Sequence, residues 1–156
     1  QHEPAIMGAV LESDVYCEMI CDGLHLVPGT VRMLTHLKGF GKCVAITDSI
    51  MAAGLPDGNY HLGVNDVVVV DGDAKLASNG VRAGSTLTQN RALKNLLKYT
   101  GKPLEEILPT LTENPAKLLK LDHRIGFLNE GADADLVFLN EDNDVAGVYL
   151  KGRRVK

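Results

Sequence analysis

The sequence lacks several things, and each absence narrows what it can be. No apolar run approaches the ~20 residues that a membrane-spanning helix needs, so a membrane protein of that kind is excluded. Basic residues do not gather into a face. The only cluster is Lys151-Gly152-Arg153-Arg154-Val155-Lys156, in a chain of net charge −4. A nucleic-acid surface needs a basic stripe or patch, so no nucleic-acid partner is expected. Cysteine is scarce. The three residues Cys17, Cys21 and Cys43 lie in apolar runs with no Cys-x-x-Cys pair, which argues against a thiolate metal site. Cys17 and Cys21 fall on one strand face but too far apart along it to bridge. Buried free thiols in a reducing, cytoplasmic setting are the expectation. Gln1-His2-Glu3-Pro4 does not read as a signal peptide, and there are no repeats or low-complexity tracts.

What is present is a 156-residue chain, 45% apolar and 23% charged, near the size of one ordinary domain. The informative stretch is Cys43-Val44-Ala45-Ile46-Thr47-Asp48. Four apolar residues run without alternation, as in a parallel strand covered on both faces. The run ends at a carboxylate followed by a loop rich in Ala and Gly. Active-site groups of α/β folds lie just past the carboxyl ends of parallel strands, which makes Asp48 the first catalytic candidate. The competing reading is an aspartate that caps a turn.

Upstream, Asp14–Gly23 is a second strand-like run, also ending in an aspartate, in Asp22-Gly23-Leu24-His25. Pro28 suits the first turn of a helix that ends at Gly39. The order strand, Asp-Gly-x-His, helix, strand, Thr-Asp predicts a βαβ unit with both polar ends at one sheet edge. A β-rich excursion follows over about residues 57–80, with hairpin turns expected at Asp57-Gly58 and Asp71-Gly72. After Arg82-Ala83-Gly84, Ser85 or Thr86 is placed to cap a helix that Gly101 and Pro103 end. Pro109 should end a shorter helix beginning at Pro103, and Asn114-Pro115 is read as the cap of another. Strands at Ala134–Leu139 and Val145–Leu150 close the chain, the last turning at Lys151-Gly152.

Several of these motifs together resemble one family. Asp22-Gly23-Leu24-His25, Thr47-Asp48 and Ala83-Gly84-Ser85-Thr86-Leu87-Thr88 resemble the N-acetylglucosamine-6-phosphate deacetylases. Asn114-Pro115-Ala116-Lys117, Gly126 and Gly131–Val137 resemble the C-terminal part of the wider amidohydrolase superfamily. The resemblance implies an α/β fold. It makes the chain the C-terminal part of a metal-dependent TIM-like barrel, its last two strands and helices, plus the returning strands of a small β-sandwich. Residues 1–121 would belong to the barrel and 122–156 to the sandwich. The divalent metal, zinc or iron, would be held by residues upstream of this chain, with no metal ligand in it.

The resemblance also implies roles. Asp48 would serve as general base and then general acid in releasing acetate from the amino sugar. Asp22, Gly23, Leu24 and His25 would bind substrate, with His25 near the sugar phosphate and reaching a neighbouring subunit's site in a homodimer. The competing reading of His25 is a helix-approach histidine satisfied by backbone. Arg82, Ala83 and Gly84 would form a substrate loop, Ala and Gly permitting close backbone approach. Arg82 departs from the family's apolar residue and reads equally as an exposed loop arginine. His2 stands where the family has a basic residue that helps hold phosphate. Imidazole cannot make the bidentate fork of an arginine. His2 and Arg82 would favour a related amidohydrolase acting on another amide. The missing metal ligands would favour a non-catalytic assembly segment. The chain on its own is expected to be inactive.

Overall fold

The structure is a computed structural model and describes residues 5–156. Helix α1 (Ala5–Glu12) leads into strand β1 (Cys17–Ile20), helix α2 (Pro28–Lys38) and strand β2 (Cys43–Ile46). β1 and β2 pair in parallel, Cys17 opposite Cys43 and Ile20 opposite Ile46. The expected βαβ unit is therefore present. Cys43, Val44 and Ala45 are all buried, as an unalternating apolar run requires. Pro28 occupies the first turn of α2. Gly39, at φ +77, closes it by donating its N–H to the Thr35 carbonyl. The strand read over residues 14–23 is shorter than expected. Asp14 lies outside it and pairs with Lys42 at 2.9 Å.

Met19, Cys21 and Cys43 from the parallel pair pack with Val31 and Leu34 of α2. Leu93 and Leu96 of α3 (Gln89–Thr100) and Ile107 of α4 (Leu104–Ile107) complete this core. All three cysteines are free, and burial pushes the Cys21 and Cys43 thiols up to about 12.

The β-rich excursion is an antiparallel meander of β3 (Gly58–Leu62), β4 (Asn65–Val70) and β5 (Asp73–Leu76). It has its own core of Val67, Val69 and Ala74 against Ile50, Ala52 and Ala83. Asp71-Gly72 is the turn between β4 and β5, both residues at positive φ as a type I′ turn demands. Asp57-Gly58 is not a turn. Gly58 opens β3, Gly63-Val64 makes the first turn, and the Asp57 carboxylate instead accepts the backbone N–H groups of Asp71 and Gly72.

Two capping expectations are also corrected. α3 starts at Gln89, and the hydroxyls expected to cap it are engaged elsewhere. Ser85 Oγ donates to the Thr47 carbonyl, and Thr86 Oγ1 donates to Gly72 O at 2.7 Å. Asn114 lies inside α5 (Glu113–Leu118) rather than capping it. Its buried amide donates to Phe40 O and Cys43 O, both at 2.7 Å, fastening α5 to the base of β2. Pro109 does stop α4, in a 3₁₀ turn over Leu108–Thr110. The chain ends in an antiparallel sheet of β6 (Leu136–Leu139), β7 (Val145–Leu150) and β8 (Arg153–Arg154), turning at Lys151-Gly152 as expected.

Candidate active site

Two loops leave the carboxyl ends of β1 and β2 at the same sheet edge. The β2 loop begins with Thr47 and Asp48. Asp48 sits at φ +49, a left-handed conformation that aspartate tolerates better than most residues. The segment 83–87 runs alongside it. Ser85 N donates to Asp48 O at 2.8 Å, and Ile50 N donates to Ser85 O at 2.9 Å. Ser49 Oγ donates to Leu87 O. These bonds hold the backbone around Asp48. The carboxylate is exposed and has no hydrogen-bond partner among the described residues. Ile50 N, one amide that a turn-capping Asp48 would take, is bound by Ser85 O.

Gly84, at φ +63, lies directly against this turn. A Cβ there would meet the Asp48 carbonyl oxygen at 2.9 Å. From below, Gln89 Nε2 donates to Ala45 O at 3.1 Å and ties α3 to β2.

The β1 loop is organised by Asp22. One carboxylate oxygen accepts the backbone N–H groups of Leu24 (2.8 Å) and His25 (2.7 Å). The other lies 2.6 Å from His25 Nδ1. Burial opposes ionisation of Asp22, but the bonds from the His25 ring and the two amides outweigh it and hold the carboxyl below its usual range. The Asp22 side chain is 9% exposed and that of His25 24%, so the ring edge faces outward with the carboxylate behind it. Gly23, at φ +84, is required by the Tyr99 hydroxyl, which a Cβ would approach to 2.7 Å. Asn95 Nδ2 holds the strand end through Cys21 O at 2.8 Å.

Arg82 connects the loops. Its guanidinium forks onto Asp73, Nε to Oδ1 at 2.7 Å and Nη2 to Oδ2 at 3.0 Å, while Nη1 donates to Leu24 O at 3.4 Å. The guanidinium beside it drives the Asp73 carboxyl down to about 2. Arg82 is thus held by the meander and by the His25 loop. Ala83 is buried in the meander's core. A shallow polar cleft beside the β1 loop is lined by Asp22, Leu24, Asp71, Thr86, Leu87 and Arg91. Sequence reading gave Asp71 only a turn and singled out neither Arg91 nor the Asp73 partner of Arg82, because only the folded meander brings them to this loop. His2 lies outside the described residues. No three His, Cys, Asp or Glu side chains among the described residues converge as a metal site.

A parallel pair under helices, with an unengaged aspartate beyond its last strand, is an arrangement used by hydrolytic α/β enzymes. The chain belongs to the amidohydrolase family, which matches residues 5–155. Within it, the chain is 41% identical over 140 residues to an N-acetylglucosamine-6-phosphate deacetylase of Lysinibacillus sphaericus, covering 89% of this chain and 36% of that one. It superposes on the N-acetylglucosamine-6-phosphate deacetylase of Thermotoga maritima with a TM-score of 0.91 at 41% identity, over 97% of this chain and 41% of that one. A variant of the Mycobacterium smegmatis enzyme, solved in complex with N-acetyl-D-glucosamine-6-phosphate, gives 0.87 at 36% identity, over 94% of this chain and 39% of that one. The chain thus spans about two fifths of the length of these relatives.

Proposed function

We propose that this chain is the C-terminal portion of a metal-dependent deacetylase that hydrolyses N-acetylglucosamine 6-phosphate to glucosamine 6-phosphate and acetate. The supporting observation is the Asp48 carboxylate, exposed just past the end of β2 and without a partner among the described residues. In this reading β1 and β2 are the last two strands of a TIM-like barrel carried by residues 1–121. Residues 122–156 return to a β-sandwich.

Asp48 takes a proton from the attacking water as its oxygen bonds to the acetyl carbon. The C–N bond then breaks, and Asp48 returns the proton to the departing nitrogen. One carboxylate serves both steps because the proton taken up is the proton given back. In this reading the ligands of the divalent metal, zinc or iron, belong to other parts of the enzyme. His25, held by Asp22, faces the sugar phosphate, in a homodimer whose subunits share their sites. Gly23 and Leu24 shape its loop, and Ala83 and Gly84 give the sugar a close backbone approach. Arg82, forked onto Asp73, also reaches the Leu24 carbonyl and steadies the substrate loop.

Asp48→Asn in the whole enzyme tests the reading. The amide keeps the shape and removes the base, so kcat should fall by about 10²–10⁴-fold with folding retained. KM should change much less, because both proton transfers belong to the transition state. A variant retaining more than about a tenth of the parent kcat would remove Asp48 from the chemistry.

A further inference from the structure

We infer that Asp22 is a positioning residue that fixes the proton arrangement of His25, so that His25 engages an anionic group only as imidazolium. This rests on the proposed role of His25 toward the sugar phosphate. The argument begins with the donor count around Asp22. One oxygen already accepts two backbone amides, from Leu24 and His25. The other, at 2.6 Å from Nδ1, can only accept, so the ring must place a proton on Nδ1. A neutral ring then carries its lone pair on Nε2, the nitrogen with no protein partner among the described residues.

The dianion of a phosphate monoester, the dominant form above about pH 6, has only lone pairs to offer and is repelled by that of Nε2. The pair can meet only after Nε2 gains a second proton, with Asp22 as the counter-charge behind it. The surroundings carry mixed charge and do not remove this requirement. Arg82 reaches the Leu24 carbonyl beside the ring, and the Tyr99 hydroxyl lies under Gly23. Arg91 and Asp71 share the neighbouring cleft with Asp22. Binding of a phosphorylated ligand is therefore coupled to proton uptake at His25, and affinity falls as pH rises.

Asp22→Asn makes a distinctive prediction. The asparagine oxygen can still accept the two backbone amides. Its NH₂ then faces Nδ1, which becomes the acceptor, and the neutral ring carries its proton on Nε2. That ring donates to phosphate without taking up a proton. Phosphate binding should survive in reduced form while its pH dependence flattens. A merely structural role for Asp22 would weaken binding at every pH alike.

Two measurements on the parent and the Asp22→Asn variant decide this. Long-range ¹⁵N–¹H correlation spectra of the His25 ring in the whole enzyme should show the Nδ1–H tautomer at high pH in the parent and Nε2–H in the variant. An unchanged tautomer overturns the inference. In the whole enzyme, dissociation constants for glucosamine 6-phosphate and for glucosamine are measured between about pH 6 and 9. The ligand phosphate's own second ionisation, near pH 6, is common to both proteins and cancels in the comparison. Loss of a charge-assisted contact, about 1.5–3 kcal/mol, corresponds to roughly a ten- to hundredfold weakening. The parent should lose this much affinity for the phosphorylated sugar across the range. The variant should lose less than about threefold over the same range, under half the smallest of those contact energies. Parallel profiles for the two proteins, with phosphate preference intact, overturn this inference alone. No preference for the phosphorylated sugar in the parent overturns the His25 reading and this inference together.

Discussion

Gly84 and Asp48 touch through their backbones. A Cβ at Gly84 would lie 2.9 Å from the Asp48 carbonyl oxygen and 2.7 Å from Ile50 Cγ2, at a φ of +63 that L-residues seldom adopt. Gly84→Ala should therefore destabilise the protein by about 1–3 kcal/mol and displace the Asp48 turn. Gly54→Ala separates the two causes, because Gly54 shares the left-handed φ with nothing within 4 Å. In the whole enzyme, chemical denaturation and kcat should both suffer for Gly84→Ala. Only the first should suffer for Gly54→Ala. Equal kcat in the two variants would show that the contact does not hold Asp48.

His25→Ala in the whole enzyme should raise KM for N-acetylglucosamine 6-phosphate about ten- to a hundredfold, the value of one charge-assisted hydrogen bond. KM for N-acetylglucosamine itself should move far less. Steady-state kinetics on the two substrates reads this directly, and equal changes would take His25 away from the phosphate.

The Asp73–Arg82 pair gives a stability signature in acid. The carboxyl of Asp73 is depressed to about 2 in the folded chain, against about 3.9 when unfolded. The unfolded chain thus holds its proton more tightly, and the pair's contribution is complete above about pH 4 and lost as pH falls toward 2. Asp73→Asn should lower Tm at pH 7, and the gap from the parent should close between about pH 4 and pH 2. A constant gap down to pH 2 would show that the pair contributes through packing rather than charge.

The chain by itself should neither hold a metal in stoichiometric amount nor turn over substrate. Among the described residues β1 and β2 form a sheet of two strands with no further strand beside either, and Leu119 and Leu128 are 66% and 82% exposed. Strands without outer neighbours and open apolar surface favour association. Metal analysis, an activity assay and light scattering on the purified 156-residue chain test this. A monodisperse monomer with bound zinc or iron and turnover would refute it.

What the sequence made legible is local. The Cys43–Asp48 run, the Pro28 helix start, the Gly39 and Gly101 helix ends and the Asp71-Gly72 turn each depend on adjacent residues, and each is found. What escaped depends on distant partners. Asn114 reads locally as a cap, yet it serves carbonyls 74 and 71 residues away. Ser85 reads as a cap for the same reason, and its hydroxyl goes to Thr47 instead. Asp57-Gly58 looks like a turn dipeptide, but its carboxylate is claimed by the Asp71-Gly72 turn. Around the candidate site, the loops carrying His25 and Asp48 could be placed past the strand ends, while the partner that occupies Arg82 could not. A polar side chain's role is set by whichever unsatisfied group the fold brings to it, and spacing along the chain carries little of that information.

The meander is fastened at one end only. Asp57 grips the 71–72 turn, Thr86 reaches Gly72 O, and Arg82 clasps Asp73. The opposite tip, Gly63-Val64, carries none of these fastenings, and Val64 is fully exposed. That tip is a natural splice point for an affinity tag or a fluorescent reporter, which could be read or pulled upon while the loops around Asp48 and His25 are left undisturbed.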